Sequence, residues 1–351
     1  MNVIDRNFSP QKMFFQLATE HTPAYRFSAR EGTFDAWKEE ARPKVKACLG
    51  RFPDRVEPRA ELLAEWDHRG LRKQKWMLDV QPHLSAMLYI NIPPGVRDDT
   101  PTPALLCWHG HGNFGKEPVM GNNTSPALLA NIAMHNYEYG QKMAEAGFVT
   151  FGIDWMGNGD MNDAARPHCS SVGTGKDWCN LYYLHATMFG MTSISINVRN
   201  GMAATDFVST LPFVDADRLG VMGLSGGGTM TLWSAFCDDR IKAAEIICYS
   251  DLWRAFGMRD INYCGMQVAP GLYALVDLPD LQGLLAPLPL LIDIGAYDTC
   301  FKVETATECF RQVEKIYEAA GARERLELDL HSGEHGWGAN KSVAFFQKAL
   351  G

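Results

Sequence analysis

The sequence predicts an α/β protein built on a mainly parallel, doubly wound sheet with an antiparallel leading hairpin. Three observations predict it. From residue 104 to the C-terminus, short apolar runs alternate with segments of helical spacing, the pattern of a parallel sheet covered on both faces. Residues 76–92 follow a period of two instead. A glycine-flanked serine, Gly223-Leu224-Ser225-Gly226-Gly227, sits where a strand runs into a helix.

Residues 1–70 are polar and aromatic and predict an N-terminal helical extension. Phe34, Trp37, Ala41, Val45 and Cys48 recur at helical spacing, with Pro43 expected to kink or divide the helix. The main domain is expected over 71–351. Trp76, Leu78 and Val80 alternate with polar residues. After Gln81-Pro82-His83, so do Leu84, Ala86, Leu88, Ile90 and Ile92, which gives a hairpin. Strands follow at 104–108, 148–153, 218–222, 243–249, 288–294 and 326–330. Helices are predicted from Tyr139 to Ala146, along Ile194, Val198, Met202, Thr205 and Val208, along Val303, Ala306, Phe310, Val313 and Ile316, and from Ser342 to Leu350. Residues 155–192 and 250–286 lack a clean period and read as insertions, either a lid or a subunit contact.

The net charge of −8 argues against nucleic acid or an anionic membrane as a partner. No apolar run reaches the roughly 20 residues of a spanning helix. Met1 to Arg6 show no basic segment leading into an apolar one, and the nine cysteines form no Cys-x-x-Cys pair. A cytoplasmic protein with reduced thiols is expected. A homo-oligomer is compatible with the sequence.

Ser225 fits the Gly-x-Ser-x-Gly turn in which glycines two residues before and after the serine allow a tight, strained bend. In open α/β sheets, ligands bind beyond the carboxyl ends of the strands. Asp298 follows the strand ending at Ile294, and His335 lies in the loop before the last helix. The order Ser225, Asp298, His335 suits a hydroxyl nucleophile, an imidazole base and a carboxylate that orients it. Asp293 and His331 are the respective rivals. Asp293 falls within the strand, and His331 directly follows one. After Trp108, the run His109-Gly110-His111-Gly112 lets backbone approach a reacting oxygen. The backbone N–H groups of Gly226 and His111 are the expected oxyanion donors, with Gly112 the alternative to His111.

These segments, together with Asp154-Trp155-Met156-Gly157-Asn158-Gly159 and Gly295-Ala296-Tyr297-Asp298, resemble the α/β-hydrolase superfamily over about residues 72–350. They are most similar to its acetylxylan-esterase-like branch, which is related to the dienelactone hydrolases. The resemblance implies an α/β-hydrolase fold. It also implies cofactor-free hydrolysis of small acyl or acetyl esters, acetylated sugars among them, through an acyl-enzyme. The N-terminal 70 residues and the 155–192 excursion depart from a minimal hydrolase and bear on substrate class.

Competing readings are a serine peptidase or amidase with the same triad, and a catalytically silent binding protein. His331-Ser332-Gly333-Glu334-His335 also fits an inverted zinc-protease pattern. That pattern requires a helix, and Gly333, Gly336 and Gly338 argue against one, so no metal is expected. The chain has no phosphate-cradling glycine loop, so no nucleotide cofactor is expected. Trp108, Trp155, Trp178, Trp253 and Trp337 lie in or near the loops of the presumed active face. They are expected mostly to pack, though two in the pocket could stack on a sugar. Cys169, Cys179 and Cys300 are expected to be inert.

Overall fold

A computed structural model describes residues 6–163 and 177–351. The central part of the 155–192 excursion, Cys169 included, lies outside the described residues. One sheet of nine strands organises the rest, in the order β1-β2-β3-β5-β4-β6-β7-β8-β9. The strands are β1 (Glu61–His68), β2 (Leu71–Gln81), β3 (Leu84–Ile92), β4 (Thr102–Trp108), β5 (Val149–Ile153), β6 (Val214–Leu224), β7 (Ile241–Ile247), β8 (Leu290–Gly295) and β9 (Leu326–His331). The β1, β2, β3 and β5 neighbours pair antiparallel, and every pair from β5 to β9 across the sheet is parallel.

The helices are α1 (Pro10–Glu20), α2 (Phe34–Ala47), α3 (Lys116–Val119), α4 (Pro126–His135), α5 (Tyr139–Glu145), α6 (Trp178–Met188), α7 (Ser193–Val208), α8 (Gly226–Cys237), α9 (Leu272–Leu275), α10 (Leu278–Gly283), α11 (Val303–Ala319) and α12 (Ser342–Leu350). Strand alternation divides the core. On β4, Ala104, Leu106 and Trp108 join a large cluster covered by α2, α7, α8, α10 and α11. Leu105 and Cys107 face the opposite way, into a smaller cluster covered by α3, α5 and α12. Among the described residues no helix is long and apolar enough to cross a membrane.

The N-terminal segment differs from its expected helical form. It contains α1 and α2, but residues 61–68 form the edge strand β1. That strand escapes the period-two test because its first seven residues are exposed. Pro43 does not divide the element, for α2 runs through it as one helix. The buried stripe Phe34, Trp37, Ala41 and Val45 anchors α2 and outweighs one lost backbone bond. The two irregular excursions also contain order. The first holds α6, and the second holds a π-helix, Trp253–Arg259, with α9 and α10.

Register positions the site. Trp108 lies opposite Gly223, Leu224 opposite Ile247, Ile247 opposite Asp293, and Gly295 opposite His331. The carboxyl ends of β4, β6, β7, β8 and β9 therefore share one edge, and the loops leaving them meet there.

Candidate active site

Ser225 occupies the junction between β6 and α8 with φ 59° and ψ −118°. This is a conformation L-residues avoid, costing on the order of 1–3 kcal/mol. The surroundings enforce it. Ser225 N–H donates to the Ile247 carbonyl at 2.8 Å, and the Ser225 carbonyl accepts from Thr229 N–H at 3.1 Å. A Cβ on Gly223 would lie 2.6 Å from the Gly227 carbonyl oxygen, and one on Gly227 would lie 2.3 Å from that of Trp108. Only glycine fits at either position.

Asp298 is buried in the loop after β8. Its Oδ2 accepts from His335 Nδ1 at 2.7 Å. Its Oδ1 accepts from the N–H groups of Cys300 at 2.7 Å and Phe301 at 3.0 Å. Burial alone would raise the Asp298 pKa. The bond to His335, its charge and the two N–H donors outweigh burial and hold the carboxyl below its ordinary range. An ionised Asp298 makes Nδ1 the protonated nitrogen of His335 and leaves Nε2 for the cavity. Phe301 stacks on the His335 ring at 5.8 Å and 16°. From behind, His135 Nδ1 donates to the His335 carbonyl at 2.6 Å, and Trp337 N–H donates to that of His135 at 2.9 Å.

The rival residues form a separate pair. His331 Nε2 lies 3.0 Å from Asp293 Oδ1, on the face of the sheet covered by α12. Burial pushes Asp293 up to about 6 despite His331, while contact with Asp293 raises His331 against the opposing effect of its own burial. Residues 332–341 are not helical. His331 and His335 thus sit on different carboxylates, without the helical spacing an inverted zinc-protease site requires.

After β4 the backbone donors divide clearly. Gly110 N–H donates to the Tyr137 hydroxyl, and Gly112 N–H to Asn158 Oδ1 at 3.0 Å. The N–H groups of His111 and Gly226 make no hydrogen bond with other described residues. The two segments abut, since a Cβ on Gly226 would lie 2.9 Å from His111 Nδ1.

A buried ion pair fixes this loop. Lys116 Nζ lies 2.8 Å from Asp154 Oδ2 and 2.7 Å from Asp160 Oδ2. Asp154 also accepts from the backbone N–H groups of Lys116 at 2.7 Å and Asp160 at 2.8 Å. Burial would raise Asp154 and lower Lys116. Each partner's charge reverses this, so both stay charged. Gly115 and Gly159, at φ +53° and +50°, bring their backbones against the Asp154 carboxylate. Burial pushes the neighbouring His109 down to about 4, which keeps its ring neutral.

Ser225, His335, Gly110 and His111 line one cavity of about 390 Å³, with Asp298 immediately behind His335. Its walls include His135, Tyr137, Tyr263, Gln267 and Phe301. None of the five tryptophans lines it. Trp108, Trp155, Trp253 and Trp337 are buried in packing, and Trp178 pairs with Tyr182. The roles of His135, Tyr137 and Lys116 were not visible in the sequence, because each acts through residues far away in the chain.

A family model described as "Abhydrolase family" matches residues 4–334, nearly the whole chain and including most of its N-terminal segment. The chain belongs to this family. Within the wider similarity of this Abhydrolase member, "Putative hydrolase YtaP" of Bacillus subtilis (strain 168) is 24% identical over 320 residues, covering 89% of this chain and 100% of YtaP. Among solved structures, a "putative acetyl xylan esterase" from Bacteroides fragilis NCTC 9343 superposes with a TM-score of 0.73 at 18% identity, covering 93% of this chain and 83% of the other. A glucuronoyl esterase from Solibacter usitatus gives 0.68 at 14% identity, covering 94% and 98%. At these identities the superpositions establish a shared fold, the α/β-hydrolase sheet expected from the sequence.

Proposed function

We propose that this Abhydrolase member is a serine carboxylesterase acting on a small acyl or acetyl ester. One observation carries the reading: Ser225, held at positive φ, faces the same cavity as His335, whose far nitrogen is bound to ionised Asp298.

His335 Nε2 takes the Ser225 hydroxyl proton as Oγ attacks the ester carbonyl carbon. Asp298 fixes the tautomer and stabilises the imidazolium. The oxyanion settles on the N–H groups of Gly226 and His111, which no acceptor among the described residues occupies. The bond to the alcohol oxygen then breaks, and His335 returns the proton to the departing alcohol. A water, deprotonated by the same imidazole, hydrolyses the acyl-enzyme. Side chains and backbone supply every group this chemistry needs, so the reading calls for no cofactor.

A cavity of about 390 Å³ suits a small ester, near the lower end of ordinary ligand pockets. The structural neighbours, named as an acetyl xylan esterase and a glucuronoyl esterase, favour a carbohydrate as one component of the ester. A cytoplasmic location fits the eight described cysteines, all free.

The test is a panel of p-nitrophenyl esters of increasing acyl length, acetylated monosaccharides and peptide amides. The reading expects acetyl esters to be cleaved fastest and amides at least about 100-fold more slowly. Efficient amide cleavage with inert esters would make the protein an amidase.

A further inference from the structure

We propose that His111, Cys179 and Cys264 form a site for a thiophilic divalent cation, Zn²⁺ above all, in the wall of the active cavity. Their ligand atoms all lie within 4.8 Å of one another. His111 Nε2 is 3.0 Å from Cys264 Sγ. An imidazole and two thiols are a soft donor set of the kind that selects zinc. Ligands on one tetrahedral zinc stand roughly 3.5–3.8 Å apart, given Zn–S near 2.3 Å and Zn–N near 2.0–2.1 Å. The three atoms therefore need only small adjustments to receive an ion.

The donors come from three segments far apart in the chain. Cys179 is in the first turn of α6, its N–H held by Asp177 Oδ1 at 2.9 Å. Asn180 Oδ1 accepts from Gly265 N–H at 2.8 Å and ties α6 to the residue beside Cys264. The His111 ring stands edge-on to Trp155 at 4.7 Å and 81°. Their separation along the chain is why the sequence gives no metal-ligand spacing.

His111 and Cys264 both line the cavity, so a fourth position opens toward it for water or a substrate oxygen. On binding, the two thiols release their protons to solvent and the ion takes both sulfurs. It then occupies the cavity wall on the Nε2 side of the His111 ring, whose Nδ1 side faces Gly226. If the esterase reading holds, on which this part rests, the ion slows turnover.

The test is titration of the reduced, full-length protein with Co²⁺ and then Zn²⁺, without oxygen. The expected result is one Co²⁺ per chain, with thiolate-to-metal charge-transfer and tetrahedral ligand-field absorption that Zn²⁺ displaces. Saturating Zn²⁺ should lower ester turnover at least tenfold, and a chelator should restore it. Cys179→Ser and Cys264→Ser should each lose most of the charge-transfer intensity. Spectra unchanged in both variants, no stoichiometric binding, or a Cys179–Cys264 disulfide in the isolated protein would each overturn the site. The spectra need no turnover, so failure of the esterase reading would leave this result legible. Zinc inhibition that persists in Cys179→Ser would place the inhibitory ion elsewhere, as on His335.

Discussion

His335 Nδ1 lies 2.7 Å from Asp298 Oδ2, while His331, four residues earlier, turns to Asp293 on the other side of the same loop. The two pairs differ in surroundings. Asp298 has two backbone donors and a carboxyl held low. Asp293 is fully buried, and its carboxyl accepts one backbone N–H, that of Gly338, and is pushed up to about 6. Only the first pair has its imidazole in the cavity with Ser225.

Asp298→Asn should therefore lower kcat by about 10³–10⁴ with little change in the folded state, because the base loses its tautomer and its counter-charge. Asp293→Asn should act mainly on stability, changing kcat by less than about tenfold. Steady-state kinetics with thermal unfolding of both variants checks this. The reverse ranking would exchange the two pairs.

Gly227→Ala places a methyl group 2.3 Å from the Trp108 carbonyl oxygen, where the neighbour is backbone and cannot swing away. The expected cost is about 1–3 kcal/mol or more, with activity reduced because β4 and the elbow must separate. Gly321→Ala is the control. That residue has φ +64° but open space around its Cβ, so strain acts there without a clash.

Glu245, fully buried on β7, accepts from Trp337 Nε1 at 3.1 Å and Ser342 Oγ at 2.6 Å. Burial first, and the charge of Asp293 second, push its carboxyl up to about 8. The unfolded chain gives up this proton near its ordinary value, roughly 4.3. Between those values the folded state holds a proton that the unfolded chain has lost. Stability from this group is thus complete at low pH, falls as pH rises, and levels off above about 8. The slope is at most about 1.4 kcal/mol per pH unit. Glu245→Gln should flatten unfolding curves measured between pH 6 and 8. Parallel curves for variant and wild type would contradict the assignment.

Lys116 and Asp154 tie the loop after β4 to the loop after β5. Removing Asp154 leaves buried Lys116 with only the half-exposed Asp160 and takes the acceptor from the backbone N–H groups of Lys116 and Asp160, so Asp154→Ala should cost about 3–5 kcal/mol. Denaturant unfolding measures it, and a loss below about 1 kcal/mol would show the pair to be dispensable.

Much of this was legible in the sequence because the determinants are local. A buried parallel strand must be an apolar run, and a serine turned above a sheet needs glycines two residues to either side. Three features were not legible. β1 is an exposed edge strand, so nothing forces its residues to alternate. α6 buries only Cys179 and Ala186 among its residues, too few to give a helical period. Lys116 carries no local signal of its role, because its partner Asp154 lies 38 residues away.

The most direct test is mass spectrometry of the intact protein after a fluorophosphonate, with Ser225→Ala alongside. The account predicts one phosphonyl adduct per wild-type chain, mapping to Ser225, and none on the variant. An equal adduct on Ser225→Ala, or none on well-folded wild type, would contradict an activated serine at this turn.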